Sequence, residues 1–430
     1  MYLALLSLLK RSKRGISIVQ CGLLISKSVN HLNVIYISKY ASYAPYGIET
    51  RQLYISKHLV TLGHEVKVYL SDSNHQLSKM PTTYIDMQDG VEVEWIKTTK
   101  YKKAYGLKRI LSWFDFEWKL RKRLKKTTIN PDVVIVSSLS LLSILNGIWL
   151  KKKYACKLVF EVRDIWPLVL TRISSISEYN PFYIFLAHIE KKGYQNADVI
   201  IGTMPNLKEH VANVLNQQKT VIWMPHLVNP GVIHADAHIY SNEIKGIRAK
   251  GYSHIIGYAG SINRSSSIQL LLQCADKLKE KNIAIVLLGN GPLLAELKEK
   301  YTLANVSFFN KTTQNQVVAF LKECDFLYDG YLKSETYKFG NSRNKYVEYC
   351  LAAKPMLVSY EGFDFFIEQY KCGLVVKPES VDDLVKGVEW LVQKDTQVLK
   401  EMGENAFNFA EENLQISSQV NKLLSALNNV

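Results

Sequence analysis

DFLYDGYLKSETYKFGNSRNKYVEYCLAAKPMLVS, residues 325–359, reads as a strand, a loop, a helix and a second strand. The runs DFLYDG from Asp325 and PMLVSY from Pro355 have the length and apolar content of buried strands. Between them the loop residues Phe339 to Ser342 precede a helix expected to start near Arg343. Two strands joined through a helix run parallel, with the helix on one face of the sheet. The loop then lies at the carboxyl end of a strand, where open α/β sheets bind ligands.

The same alternation continues on both sides of this unit. Earlier strands are expected at NVIYI from Asn33, EVKVYL from Glu65, VEVEWI from Val91, DVVIVSS from Asp132, KLVFEV from Lys157 and DVIIGT from Asp198. A second series follows the loop HLVNPG at His226 to Gly231, with IIGYAG from Ile255, AIVLLG from Ala284, VSFFN from Val306 and GLVVK from Gly373 completing it. The fold class is therefore α/β, with two Rossmann-like parallel-sheet domains facing a central cleft. The expected divisions are an extension over 1–31, a first domain over 32–228, a second over 229–397, and helices over 398–430. A chain of 430 residues supports two such cores.

The six cysteines are scattered without a Cys-x-x-Cys pair, which favours a reducing cytoplasm and no structural zinc. Met1 to Leu9 is apolar and is followed by Lys10, Arg11, Lys13 and Arg14, the reverse of a secretion signal. Residues 1–31 stay open between a membrane-surface anchor and an irregular start.

Lysine and arginine outnumber the acids 54 to 39, a formal charge of +15, so an anionic partner is expected. The charge is densest over 101–126, where Trp113, Phe114 and Trp118 sit among Lys119, Arg121, Lys122 and Arg123. Aromatic bulk beside dense positive charge suits a helix lying on anionic lipid. A core-facing helix with a solvated basic face is the alternative. No nucleic-acid-binding signature accompanies the charge.

Two strand-end loops carry chemistry. Gly47, before a helix beginning near Thr50, would let a backbone approach a phosphate, or it is a turn residue. Lys345 and Glu348 are three apart, so one face of a helix would offer an ammonium to a diphosphate and a carboxylate to ribose hydroxyls. The competing reading is a surface ion pair.

At this point the chain resembles the retaining glycosyltransferases of family 4, and more closely a bacterial L-fucosamine-transferase-like branch of polysaccharide enzymes. The resemblance runs through NVIYISKY, YGIETRQLYISKHLVTLGHEVKVYL, FEVRDIWPL, IIGYAGSI, LLGNGPLLAEL, NVSFF and FGNSRNKYVEYCLAAKPML. It implies a GT-B fold, with carboxyl-terminal helices crossing back to the first domain. It also implies sugar transfer from a nucleotide-sugar, expected to be a UDP-sugar, to a lipid-linked or saccharide acceptor. The setting would be cell-surface polysaccharide synthesis on the cytoplasmic face of the membrane.

Carried across, the resemblance places Gly47 at the donor diphosphate, with Glu49 and Arg51 near the cleft. Arg163 and Asp164 would lie near the reacting sugar, the alternative being a buried ion pair. Gly260 and Arg264 would face the phosphates, and Asn290, Gly291 and Pro292 the nucleotide. Ser342, Lys345 and Glu348 would complete the donor site. Gly340 stands where the family usually has a glutamate that touches the donor sugar, which puts the sugar's identity in doubt. No Asp-x-Asp metal motif stands at a strand end, so Arg264, Lys345 and helix amides would neutralise the leaving phosphate without a metal or cofactor. A nucleotide-sugar epimerase and a non-catalytic membrane subunit of the same fold are the competing functions.

Overall fold

The computed structural model describes residues 31–74, 77–101, 106–173, 176–228, 239–363 and 366–430. The expectations for residues 1–30 and for the linker near 230 lie outside the described residues.

The first domain is an eight-stranded sheet of order β3-β4-β2-β1-β5-β6-β7-β8. Its strands are β1 (Asn33–Ile37), β2 (Glu65–Ser71), β3 (Ile85–Gln88), β4 (Val91–Ile96), β5 (Val133–Ser137), β6 (Lys157–Val162), β7 (Val199–Gly202) and β8 (Val221–Trp223). All pairings are parallel except β3 with β4. Strands β1, β5 and β6 are almost wholly buried, as parallel strands covered on both faces must be. The helices that matter below are α1 (Arg51–Thr61), α2 (Leu107–Leu124), α3 (Ile144–Tyr154), α4 (Pro181–Asn196) and α5 (Leu207–Leu215).

The second domain is a six-stranded parallel sheet of order β11-β10-β9-β12-β13-β14. It is made from β9 (His254–Ser261), β10 (Ile283–Asn290), β11 (Val306–Phe309), β12 (Phe326–Gly330), β13 (Met356–Ser359) and β14 (Gly373–Val376). Its helices include α6 (Gln314–Lys322), α7 (Lys345–Leu351) and α8 (Thr396–Asn413), and a final helix, α9 (Ile416–Asn428), follows.

Two strands go beyond the sequence reading. Strand β3 pairs with β4 through a two-residue turn at Asp89 and Gly90, both at positive φ, and Asp-Gly is a strong hairpin signal. Strand β8 is only three residues long and half-buried, too short to show a pattern.

The carboxyl-terminal helices divide between the domains. Ala406, Phe409 and Ala410 of α8 pack in the core of the second domain. Ile416, Val420, Leu423 and Leu427 of α9 belong to the core of the first. The chain thus crosses at about Leu414, later than 398, and there the Val228 N–H donates to the Leu414 carbonyl at 2.9 Å.

A second crossing is made by one side chain. Phe339 belongs by sequence to the second domain, yet it is buried in the first domain's core with Met204 and Leu207, and its ring meets His210 edge-on at 4.9 Å. The Asn206 N–H donates to the Phe339 carbonyl at 3.1 Å and the Asn206 side-chain amide to the Lys338 carbonyl at 3.2 Å. The loop before α7 is thereby pinned to the opposite domain.

Helix α2 corrects part of the interfacial reading. Trp113 is buried, its indole N–H donating to the Tyr40 hydroxyl at 2.6 Å, so it is a core residue. Arg121 lies over the Trp149 ring at 4.5 Å and donates to the Leu145 carbonyl, while Arg123 pairs with Glu94. Lys119 pairs with Asp115 at 2.9 Å, and Lys122 sits over the Trp118 ring at 3.5 Å. The exposed face instead carries Leu107, Leu111, Phe114 and Trp118 at helical spacing. Ile184 and Phe185 of α4 extend it, Phe114 and Phe185 stacking at 6.5 Å. No described helix is long and apolar enough to cross a membrane.

Candidate active site

The carboxyl end of β9, the loop after it and the start of α7 form an open groove of about 340 Å³ lined by Gly260, Ser261, Ser265, Ser266, Arg343 and Lys345. Gly260 closes β9 at φ 146°, and a Cβ on it would lie 3.3 Å from both Cε and Nζ of Lys345. The missing side chain is what lets the ammonium reach the strand end.

Lys345 does not act alone. Its Nζ donates to Asp329 Oδ1 at 3.0 Å and stands over the Tyr258 ring at 4.0 Å. Arg343 donates to the same Asp329 oxygen at 2.5 Å, to the Gly330 carbonyl at 2.9 Å and to the Ser265 carbonyl at 2.6 Å. Its guanidinium lies over the Tyr331 ring at 3.5 Å. Burial pushes the Asp329 carboxyl up, but Arg343 and Lys345 beside it prevail and hold it below its ordinary value. Two cations share one buried carboxylate, leaving one positive charge in excess at the groove.

Helix α7 starts at Lys345, two residues beyond the expected start, and is only seven residues long. The positive field here therefore comes from side chains rather than from a long helix. Glu348, one turn in, accepts from Gln314 Nε2 of α6 at 2.5 Å through Oε1, while Oε2 is buried and has no partner. Burial raises its pKa.

On the first domain, Asp164 is exposed directly after β6 and faces the cleft. Arg163 anchors its backbone, donating its N–H to Ser138 Oγ at 3.0 Å and accepting from Thr203 Oγ1 at 2.9 Å. Its Nε is buried with no hydrogen-bond partner. The buried ion pair at this strand end is a different one: Arg51 Nε lies 2.9 Å from Glu161 Oε1, and the Tyr36 hydroxyl donates to Glu161 Oε2 at 2.9 Å.

Several expected site residues are placed elsewhere. Arg51 is 6% exposed and also donates to the carbonyls of Met224 and Pro225, so it braces the first domain instead of facing a ligand. Glu49 pairs with Lys57, which reaches on to Asp89 at 2.8 Å. The Gly47 N–H is donated to the Tyr43 carbonyl at 3.0 Å, the arrangement of a turn residue. Asn290 closes a turn onto the Gly291 N–H at 2.8 Å, and neither residue lines the groove or the cleft cavity. Arg264 is exposed and lines neither; Arg343 is the arginine at the groove.

Between the domains lies a smaller cavity of about 150 Å³. Asp164, Ile165 and Met204 bound it from the first domain, and Asn341, Ser342 and Arg343 from the second. Arg343 lines both spaces, so groove and cavity are parts of one site crossing the cleft. Among the described residues, no three His, Cys, Asp or Glu side chains are grouped as metal ligands would be.

Comparison with known proteins agrees with this architecture. Residues 45–230 match the model of Glycosyltransferase Family 4, and residues 241–409 that of Glycosyl transferases group 1. The chain is a glycosyltransferase of GT-B fold. A comparison with curated protein sequences finds no significant match. Among solved structures, sucrose-phosphate synthase from Thermosynechococcus elongatus is similar at 13% identity and a TM-score of 0.67, covering 93% of this chain and 99% of its own. Anabaena HepE in complex with UDP and glucose is 13% identical with a TM-score of 0.61, covering 93% of this chain and 100% of its own. WaaG, a glycosyltransferase involved in lipopolysaccharide biosynthesis, is 16% identical with a TM-score of 0.59, covering 92% and 100%.

Sequence reasoning about this glycosyltransferase missed Asp329, Arg343 and Asn341. Arg343 stood in the loop already singled out, two residues before Lys345. Asp329 was hidden inside a strand, where an acid enclosed by apolar neighbours is itself the signal: it persists only if paired.

Proposed function

We propose that this glycosyltransferase moves a hexosyl or N-acetylaminosugar unit from a UDP-sugar to a saccharide or lipid-linked acceptor, with retention and without a metal, in cell-surface polysaccharide synthesis. The observation that carries the reading is the Asp329, Arg343 and Lys345 cluster, whose excess positive charge stands at the groove where a departing diphosphate gains negative charge. Fixed cations already bonded to a buried carboxylate need little reorganisation as that charge develops. Glu348, with one oxygen unpartnered, supplies an acceptor for ribose hydroxyls. The solved structures of similar fold lend support, since HepE is described with UDP and glucose and WaaG acts in lipopolysaccharide synthesis.

Asp164, on the opposite wall, is suited to orient the acceptor or the reacting sugar. The chain would work at the cytoplasmic face of the membrane. The apolar stripe of α2 joined to Ile184 and Phe185, with the lysines beside it, supports that location.

Product analysis tests the reading. A transferase incubated with UDP-sugar and membrane acceptor releases UDP in step with glycosylated lipid. Conversion of the nucleotide-sugar into an isomer without acceptor would replace this reading with epimerisation.

A further inference from the structure

The second sheet reverses its strand order at β9, with β10 and β11 extending from one side and β12, β13 and β14 from the other. Such a point is where open α/β sheets take their ligands. Strands β9 and β10 pair over eight positions, from His254 to Ser261. Strands β9 and β12 pair at only two, Ile256 with Phe326 and Gly257 with Leu327. Both run on, to Ser261 and Gly330, without pairing further.

The ladder is interrupted by one side chain. In a parallel pair the next rung would join the Ala259 N–H to the Tyr328 carbonyl. Instead the Tyr349 hydroxyl stands between them, accepting from the Ala259 N–H at 3.2 Å and donating to the Tyr328 carbonyl at 2.8 Å. A phenol has one hydrogen and free lone pairs, so it makes both bonds at once and leaves neither backbone group unpaired. Tyr349 is 0% exposed, so no ligand reaches it.

The parted strand ends frame the ammonium of Lys345. Lys345 precedes Tyr349 by four residues, so both leave the same face of α7. Its Nζ is bonded to Asp329, the residue after Tyr328 on β12, and stands over the ring of Tyr258, the residue before Ala259 on β9. The hydroxyl that parts the strands and the cation between them thus come from successive turns of one helix.

We propose that Tyr349 is a positioning residue for the diphosphate: by standing in the ladder it keeps β9 and β12 apart, and so keeps Lys345 at the groove. The assignment rests on the nucleotide-sugar reading of the site and adds to it a residue that never touches the ligand. Without the hydroxyl, Ala259 and Tyr328 are free to pair directly, the strands close by one rung, and the space that Lys345 occupies narrows.

Calorimetry on the full chain with UDP and UMP is the test, because the ratio of the two affinities isolates the grip on the second phosphate. Wild type should favour UDP over UMP by at least roughly tenfold. Tyr349→Phe keeps the ring and removes the inserted oxygen. It should shrink the ratio to about threefold or less while UMP affinity stays within about twofold, which also reports a folded site. Tyr349→Met, a second variant without the oxygen, should behave alike. Tyr43→Phe is the matched control. The Tyr43 phenol is also buried, donating to Asp86 at 3.1 Å and accepting from the Trp95 indole at 3.1 Å, but it belongs to the first domain's core. Its loss should lower the denaturation midpoint and leave the ratio alone, as a purely structural role of Tyr349 would. In a Lys345→Ala background, where the ratio is already low, Tyr349→Phe should change it no further. A wild type without preference for UDP, a preference that survives Tyr349→Phe, or a further fall in the Lys345→Ala background overturns the positioning role and leaves the nucleotide-sugar reading standing. Failure of wild type to bind either nucleotide removes both.

Discussion

Gln314 and Glu348 meet across the gap between α6 and α7, the amide nitrogen 2.5 Å from Oε1, while Oε2 of the same carboxylate is buried without a partner. One oxygen of the carboxylate is thus fixed, and the other is buried without a partner. Glu348→Gln would keep the shape and remove the charge. It is expected to weaken UDP binding by roughly tenfold to a hundredfold, the value of a charge-assisted hydrogen bond of about 1.5 to 3 kcal/mol, with the circular-dichroism spectrum unchanged. Near-normal affinity in calorimetry would show that Glu348 only braces Gln314.

Lys345→Ala should reduce kcat by roughly a hundredfold or more, as loss of a fixed charge aimed at a developing anion does. Lys345→Arg should recover part of it, since the pairing with Asp329 is kept. The same assay run in EDTA should proceed at the untreated rate, Arg343 and Lys345 standing in for a metal. A rate that collapses with chelator and returns with magnesium would disprove metal independence.

Lys39 gives a pH prediction away from the cleft. It is fully buried under α2, its ammonium bonded to Ser112 Oγ at 2.9 Å and Ser71 Oγ at 3.2 Å. Burial lowers its pKa from 10.5 to about 7, against the opposing pull of Glu117 and Asp72. Between about 7 and 10.5 the unfolded chain holds a proton that the folded one does not, so this site's contribution to stability rises with pH there and is missing below. Denaturant midpoints of wild type and Lys39→Met across that range should therefore converge or cross in favour of wild type as pH increases. The limiting slope is about 1.4 kcal/mol per pH unit. A pH-independent difference would mean that Lys39 titrates normally.

Membrane attachment should depend on the exposed stripe and not on Trp113. Phe114→Ser, Trp118→Ser and Phe185→Ser combined should reduce sedimentation with anionic vesicles, and salt should weaken what remains. Neutralising Arg121 and Arg123, both turned toward the protein, should affect binding little. Unchanged vesicle binding by the triple variant would assign attachment to another surface.

The contrast between Trp113 and Trp118 shows where legibility ends. Composition found the aromatic, basic helix, but which face points inward depends on the sheet beneath it, and sequence spacing alone left both readings open. Twelve strands were visible because buried parallel strands are continuous apolar runs. Lys345 and Glu348 were visible because helical spacing is local. The Asp329 cluster was not, since Arg343 and Asp329 meet only once the loop folds back over Tyr331. Gly340 looked like a loss and is explained by its positive φ together with Pro205, a contact between residues 135 apart in the chain.

Because α9 supplies Ile416, Val420, Leu423 and Leu427 to the first domain's core, the domain made first is the one completed last. During synthesis its sheet must wait, with part of an apolar face uncovered, until the second domain has been made and the final helix has left the ribosome. Order of birth and order of completion are reversed, and loss of the last helix would leave the earlier half unfinished.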